Sequence, residues 1–287
     1  MIKRLLPLLL TLGLTGCSGI DLLNALAPRA GIVVTRDLAY GEGSRRGLDV
    51  YAPAHAAHAP VVVFFYGGGW TSGSKAQYQF LGATLAAKGI VTIIPDYRLF
   101  PEVAYPAFIE DGAAAVAWAR ANAARYGGDA NKLFVFGHSA GAYIAMMLAI
   151  DPAWLAPYAM VPQRDLEGAI GISGPYDFLP LDTDQLRAIF AAARPLSLSQ
   201  PINYVPADAK NTLPPVLLIA GGSSDHTVSP RNTNRLGARI KAAGGDVTVE
   251  IHPNLNHELS LGAIAAPLTW LAPVQAEVTG FIFREAP

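Results

Sequence analysis

The chain has 287 residues, 52% of them hydrophobic and only 15% charged, with a formal net charge of −1. Such a length and apolar content support a sizeable buried core, and a charge fraction well below the roughly 25% of an average soluble protein fits a central sheet covered on both faces. Near-neutral charge without a block of like charges gives no footing for a nucleic-acid partner. A single cysteine excludes an intramolecular disulfide and a thiolate metal cluster, and the six histidines fall in no zinc spacing.

The N-terminus reads as a targeting segment. Lys3 and Arg4 precede the apolar stretch Leu5 to Leu14, which is shorter than the roughly 20 residues needed to span a bilayer. It ends in Leu14-Thr15-Gly16-Cys17, which resembles a lipobox. That resemblance implies removal of residues 1–16, a lipid anchor on Cys17 as the membrane partner, and, with Ser18 following, an exported lipoprotein of the outer membrane. Residues 17–31 are then expected as a tether and 32–287 as a single domain.

Two β-like runs, 32–40 and 47–51, flank the turn Gly41-Glu42-Gly43. From Pro60 onward come apolar runs without alternation at 61–66, 90–94, 133–136, 168–172 and 216–220, the pattern of parallel strands buried on both faces. The run 247–251 alternates more and is expected near a sheet edge. Helical patterns lie between them at 77–88, 106–126, 140–150 and 231–243, the second opened by Pro106 and closed by Gly127-Gly128. Strand-helix alternation implies an α/β fold, a mostly parallel sheet with helices on both faces. The proline-rich stretch 175–214, with one helical piece at 185–193, breaks the rhythm. It leaves one strand and enters another, so it is expected as a small insertion over the carboxyl edge of the sheet.

The strongest chemical signal is Gly137-His138-Ser139-Ala140-Gly141, between a buried strand and a helical pattern. That is the context of a G-x-S-x-G nucleophile elbow, in which Ser139 is exposed at a helix N-terminus and the following amide faces a developing oxyanion. Tyr66-Gly67-Gly68-Gly69-Trp70 follows the strand 61–66, and its bare amides suit an oxyanion loop of the HGGG type with Tyr in first place. A nucleophilic serine needs a base and an orienting acid, in the chain order Ser, Asp or Glu, His. His226, His252 and His257 follow Ser139; His257, in the loop after the last strand, is the favoured base. Asp225, just past the strand 216–220, is the favoured acid over Asp177, Asp208 and Asp246.

With these motifs, and with Gly73-Ser74-Lys75, Asp96-Tyr97-Arg98-Leu99, Pro101-Glu102 and Tyr105 to Asp111, residues 60–260 resemble the α/β-hydrolase-fold esterases related to hormone-sensitive lipase, more closely their bacterial feruloyl-esterase-like branch. The resemblance implies that Gly68, Gly69 and Ala140 supply the oxyanion amides and that the insertion helps form the substrate pocket, to which Tyr66, Trp70 and His138 are also assigned. It implies a structural pair between Asp96 and Arg98. The family usually has His where this chain has Tyr66, and its N-terminal cap is nearly absent here.

The expected activity is hydrolysis of short-acyl or aryl carboxylic esters, through an acyl-enzyme on Ser139 and without cofactor or metal. Amide hydrolysis of the kynurenine-formamidase type, acyl transfer to a sugar or lipid acceptor, and an anchored, non-catalytic binding protein are the alternatives.

Overall fold

The computed structural model describes residues 19–286; the signal-like segment and Cys17 lie outside the described residues. Eight strands form one sheet: β1 (Ile32–Ala39), β2 (Gly47–Pro53), β3 (Ala59–Phe65), β4 (Val91–Pro95), β5 (Gly128–His138), β6 (Gly168–Ile172), β7 (Val216–Gly221) and β8 (Val247–His252). The helices among the described residues are α1 (Gly19–Ala25), α2 (Gln79–Ala87), α3 (Ala107–Asn122), α4 (Ala140–Ile150), α5 (Pro162–Asp165), α6 (Asp184–Ile189), α7 (Arg231–Ala242), α8 (His257–Gly262) and α9 (Val274–Glu285).

The strand order is β1-β2-β4-β3-β5-β6-β7-β8. β2 is antiparallel to both its neighbours, and every pair from β4 to β8 is parallel. This is the α/β-hydrolase fold. Strands β3, β4, β6 and β7 are buried along their whole length, which is why their sequences are uninterrupted apolar runs. β8 is half-buried throughout, as an edge strand is. The chain leaves β3 towards β4 on one side and reaches β5 on the other, so a crevice opens at their carboxyl ends, the usual place for a site in an open α/β sheet.

Most differences from the expected elements are at their ends. β5 begins at Gly128 rather than at 133, because Gly128 pairs with Ala59 of β3. The pattern 106–126 divides into α3 and a 3-10 turn, Ala123–Tyr126, stopped by Gly127 in the left-handed region at φ 80°. Within the expected tether, α1 docks on the molecule: Asn24 Nδ2 donates to the Gln77 carbonyl at 3.1 Å, and the Phe80 amide donates to Asn24 Oδ1 at 2.9 Å. No helix among the described residues is long and apolar enough to cross a membrane.

The expected Asp96–Arg98 pair is not formed. Arg98 instead grips Asp111 of α3, donating from Nε and Nη2 at 2.8 Å each, and Arg46 donates to the same carboxylate at 2.8 Å. The Arg98 amide completes the set at 3.0 Å, so Asp111, fully buried, is saturated with donors. Asp96 serves a different network beside the site, described below.

Removing one partner of a buried ion cluster leaves uncompensated charge behind. Asp111→Ala is therefore expected to destabilise the fold by about 3 kcal/mol, the low end of the range for buried pairs, because both arginines retain a path to water. Urea midpoints of the variant against Glu110→Ala, an exposed neighbour expected to lie within about 0.5 kcal/mol of wild type, check this.

Candidate active site

Register brings the two glycine motifs together. β3 and β5 pair with Phe65 opposite Gly137, so the loops that leave them, 66–70 and 137–141, emerge side by side. The elbow is tight: Ser139 sits at φ 55°, ψ −124°, and its amide donates to the Ile172 carbonyl of β6 at 2.9 Å. A Cβ on Gly137 would fall 2.1 Å from the Gly141 carbonyl oxygen, and one on Gly141 would fall 2.0 Å from the Phe65 carbonyl oxygen. Both flanking glycines are thus required by backbone contact, across the elbow and against β3.

Ser139, His257 and Asp225 lie in one hydrogen-bonded line. His257 Nε2 is 2.8 Å from Ser139 Oγ, and His257 Nδ1 is 3.0 Å from Asp225 Oδ2. A carboxylate only accepts, so the proton sits on Nδ1, and Nε2 is left as an acceptor for the serine hydroxyl. Burial would raise the Asp225 pKa, but the hydrogen bond from His257, the Val228 amide and the charge of His257 outweigh it and hold the carboxyl below its usual range. Asp225 Oδ1 accepts from the amides of Thr227 at 3.0 Å and Val228 at 2.8 Å, which fixes its orientation.

His257 is not in a loop, as expected, but is the first residue of α8, capped by Asn256, whose Oδ1 accepts from the Leu259 amide at 2.8 Å. Its carbonyl is gripped by two groups: Ser260 Oγ donates at 2.7 Å and His138 Nε2 donates at 3.0 Å. Ser260 in turn accepts from Ser173 Oγ at 2.9 Å. Sequence reasoning missed Ser173 and Ser260; the only trace of Ser260 is its i+3 spacing from His257 on a helix. The other histidines are not at this line: His226 is exposed beside Asp225, and His252 faces Glu277 at 2.9 Å. Asp177 pairs with Arg235, and Asp208 accepts from Asn211.

The amides of Gly68, Gly69 and Ala140 enter none of the loop and turn hydrogen bonds of the described residues. Ala140 opens α4, so its amide has no partner inside the helix. Gly67 packs against the elbow, where a Cβ would fall 2.9 Å from Ser139 Cβ.

Tyr66, Trp70 and His138, the expected pocket residues, are all buried. Tyr66 is fully buried, its ring stacked on Tyr78 and Tyr97 at centroid distances of 5.5 and 4.7 Å, and its hydroxyl is spent on Asp96. Trp70 is turned into an aromatic cluster, 5.3 Å from Tyr143 of α4 and 5.0 Å from Phe190 of the insertion. His138 is buried against His257, ring centroids 4.8 Å apart. Burial, reinforced by the charge of His257, lowers the His138 pKa to about 3, so this ring is neutral beside the base.

Fold and site together define an α/β-hydrolase with a serine–histidine–aspartate line. The chain belongs to the BD-FAE family of esterases, whose model matches residues 48–240. It is 27% identical over 251 residues to isoprenylcysteine alpha-carbonyl methylesterase ICME of Arabidopsis thaliana, covering 78% of this chain and 56% of that protein. It is 30% identical over 250 residues to esterase LipQ of Mycobacterium tuberculosis, covering 80% of this chain and 58% of that protein. The chain thus spans little more than half the length of these curated relatives. Esterase 2 of Thermogutta terrifontis in its apo form superposes with a TM-score of 0.68 at 25% identity, over 88% of this chain and 93% of that one. The same esterase has been solved phosphoramylated by tabun, with a TM-score of 0.64 at 25% identity, over 80% of this chain and 86% of that one.

The glycines of the expected oxyanion loop differ in what they tolerate. At Gly68, φ 130°, a Cβ would fall 2.2 Å from the Ser72 carbonyl oxygen, so Gly68→Ala must deform the loop itself. At Gly69, φ 58°, a Cβ meets only Thr71 Oγ1 at 3.9 Å, and the conformation itself costs about 1–2 kcal/mol. Gly68→Ala is expected to lower kcat by about 10²–10³, the loss of one oxyanion donor, and Gly69→Ala by less. Steady-state kinetics on one ester, with melting curves of both variants, separate the two.

His138 also sets a pH dependence of stability. Its proton affinity is depressed in the fold, so between the ordinary value of 6.5 and about 3 the unfolded chain binds the proton and the native one does not. Stability from this group is complete above pH 6.5 and falls as the pH drops, by about 1.4 kcal/mol for each unit crossed. His138→Asn is expected to flatten the decline of the urea midpoint across that window relative to wild type.

Proposed function

We propose that the protein hydrolyses carboxylic esters of short acyl or aryl acids through an acyl-enzyme on Ser139. The observation that carries this reading is the line from Ser139 Oγ to His257 Nε2, 2.8 Å, and from His257 Nδ1 to Asp225, 3.0 Å, set on a nucleophile elbow. Ser139 Oγ attacks the ester carbonyl while His257 Nε2 takes its proton. Asp225 stabilises the imidazolium so formed, and the amides of Gly68, Gly69 and Ala140 hold the oxyanion. Collapse of the tetrahedral species expels the alcohol, which takes the proton from His257. Water, deprotonated by His257, then attacks the acyl-enzyme, releasing the acid and restoring the serine.

That the Thermogutta esterase is phosphoramylated by tabun supports a reactive nucleophile in a protein of this fold. The short-acyl preference rests on the rings beside the nucleophile. Tyr143 lies one helical turn after Ser139, and Trp70, Phe178 and Phe190 close on it with centroids 5.3, 6.1 and 5.7 Å away. A long acyl chain entering on that side would have to displace buried aromatic rings.

A fluorophosphonate probe and a graded panel of nitrophenyl esters, acetate to palmitate, with matched amides, test the reading. The probe is expected to label the wild type and not Ser139→Ala. Ser139→Ala and His257→Ala should each lower kcat by about 10⁴-fold or more, with the double variant little worse, because such residues act as a unit. Labelling that survives Ser139→Ala, or full activity in His257→Ala, overturns the assignment. Activity rising from butyrate to palmitate overturns the substrate preference, and faster amide than ester turnover overturns the reaction class.

A further inference from the structure

The oxyanion loop is held in an unfavourable backbone conformation. Gly68, Gly69 and Trp70 follow one another at φ 130°, 58° and 61°. A run of positive φ ending on a tryptophan persists only where surrounding groups over-determine it. On the crevice side the loop is closed locally, the Gly68 carbonyl accepting from the amides of Thr71 and Ser72 at 3.0 Å each. Those bonds shape the turn but do not tie it to the sheet.

One tie is made by the chain that leaves β4, where the Phe100 amide donates to the Trp70 carbonyl at 2.8 Å; others come from the β1–β2 turn. Arg45 Nη2 donates to the Gly73 carbonyl at 2.7 Å and to the Tyr66 hydroxyl at 2.8 Å, so one guanidinium nitrogen spans both ends of the loop. Arg45 Nε donates to the Tyr97 carbonyl at 2.9 Å, and the Tyr97 hydroxyl donates to the Tyr66 carbonyl at 2.7 Å, linking the loop to the chain that leaves β4. Because the Tyr66 oxygen accepts from Arg45, its own proton goes to Asp96 Oδ1, 2.7 Å away. The same Asp96 oxygen accepts from the Lys75 amide at 2.8 Å, just past the loop. Burial raises the Tyr66 pKa well above its ordinary value, so the phenol keeps the proton this arrangement needs.

We infer that Arg45, acting through Tyr66 and Gly73, is a positioning residue for the oxyanion loop of the proposed esterase. The inference rests on the reading of Ser139 as nucleophile and adds to it a residue from outside the α/β core. A planar guanidinium is required, because its Nε and Nη2 must address two carbonyls and a phenol in fixed directions, which an ammonium cannot do. Arg45 touches neither substrate nor reacting atoms; it acts on where the amides of Gly68 and Gly69 point. The tetrahedral oxyanion depends on those directions more than the ground-state ester does, so the effect falls on kcat.

The test uses Arg45→Lys, Arg45→Ala and Tyr66→Phe in the full chain. It measures kcat and KM on nitrophenyl acetate, the inhibition constant of phenylboronic acid, which forms a tetrahedral adduct on a nucleophilic serine, and melting curves. Arg45→Lys is expected to lower kcat by about 10- to 100-fold, the scale of a misplaced oxyanion donor, with KM within about threefold. Boronate affinity should fall by the same factor as kcat. Tyr66→Phe should fall in the same direction, and the double variant should lose less than the product of the singles. Added guanidinium should restore part of the kcat of Arg45→Ala; if that variant does not fold, Arg45→Lys and Tyr66→Phe decide. Wild-type kcat in Arg45→Lys, or a loss of kcat that follows the melting temperature and leaves boronate affinity unchanged, overturns the inference. Failure of the nucleophile reading looks different: boronate would not inhibit the wild type at all.

Discussion

The site depends on one close approach, that of the first turn of α4 to β3. Gly141 lies so near the Phe65 carbonyl that a Cβ would fall 2.0 Å from its oxygen. Only at that distance can the helix start where it does, with Ser139 held at φ 55° between β3 and β6. A non-glycine residue in such a region costs on the order of 1–3 kcal/mol, and it is kept there because its neighbours are locked. Gly137 pairs with Phe65 on one side and with Gly171 on the other, and the Ser139 amide is taken by Ile172. The strain is therefore carried by the middle of the sheet, the part least able to relax.

That placement explains what could be read from the sequence. Strands buried on both faces must be apolar at every position, so 168–172 was legible to the residue, as was helix 140–150, bounded by the elbow at one end and Asp151 at the other. The glycine motifs were legible because backbone contact leaves no alternative residue. What could not be read are pairings between segments far apart in the chain. Arg98 chooses Asp111 rather than Asp96 because α3 packs over the end of β4, a fact with no local period. Arg45 stands in an unremarkable Gly-Ser-Arg-Arg-Gly turn, and only the antiparallel seating of β1 and β2 brings it to the loop. The partner of the Tyr66 hydroxyl, Asp96, is likewise set by the pairing of β3 with β4 and not by the glycine motif. α8 has only six residues, too few for a periodic signal, and Asn256 is the single cue to its start.

The scarcity of charge gives those pairings their weight. With 15% charged residues, the buried carboxylates are few, and each is surrounded by donors. Asp49 of β2 takes Lys75 Nζ at 2.6 Å, Arg36 at 3.3 Å and the Asp37 amide at 3.0 Å. Adjacent arginines in the β1–β2 turn act on different layers, Arg45 on the oxyanion loop and Arg46 on Asp111 of α3. The antiparallel hairpin at the sheet's edge is thus coupled by hydrogen bonds to the loop after β3 and by an ion pair to α3. An edge hairpin held by apolar contact alone could slide along its neighbour; directed ion pairs fix its register as well as its position.

At the catalytic line the same economy takes another form. Two imidazoles lie 4.8 Å apart, and burial makes a proton on His138 costly. In the proposed mechanism His257 holds the serine proton in the transition state, where a second cation beside it would be repelled. Burial resolves this by keeping His138 neutral, while Asp225, anionic and held by two amides, faces the other side of His257. The neutral ring still has a function: its N–H, with the Ser260 hydroxyl, grips the carbonyl of His257. The base is then held through its backbone by uncharged donors and through its side chain by a charged acceptor. Neither set of contacts uses Nε2, which suits the proposed role of a group that accepts and returns a proton.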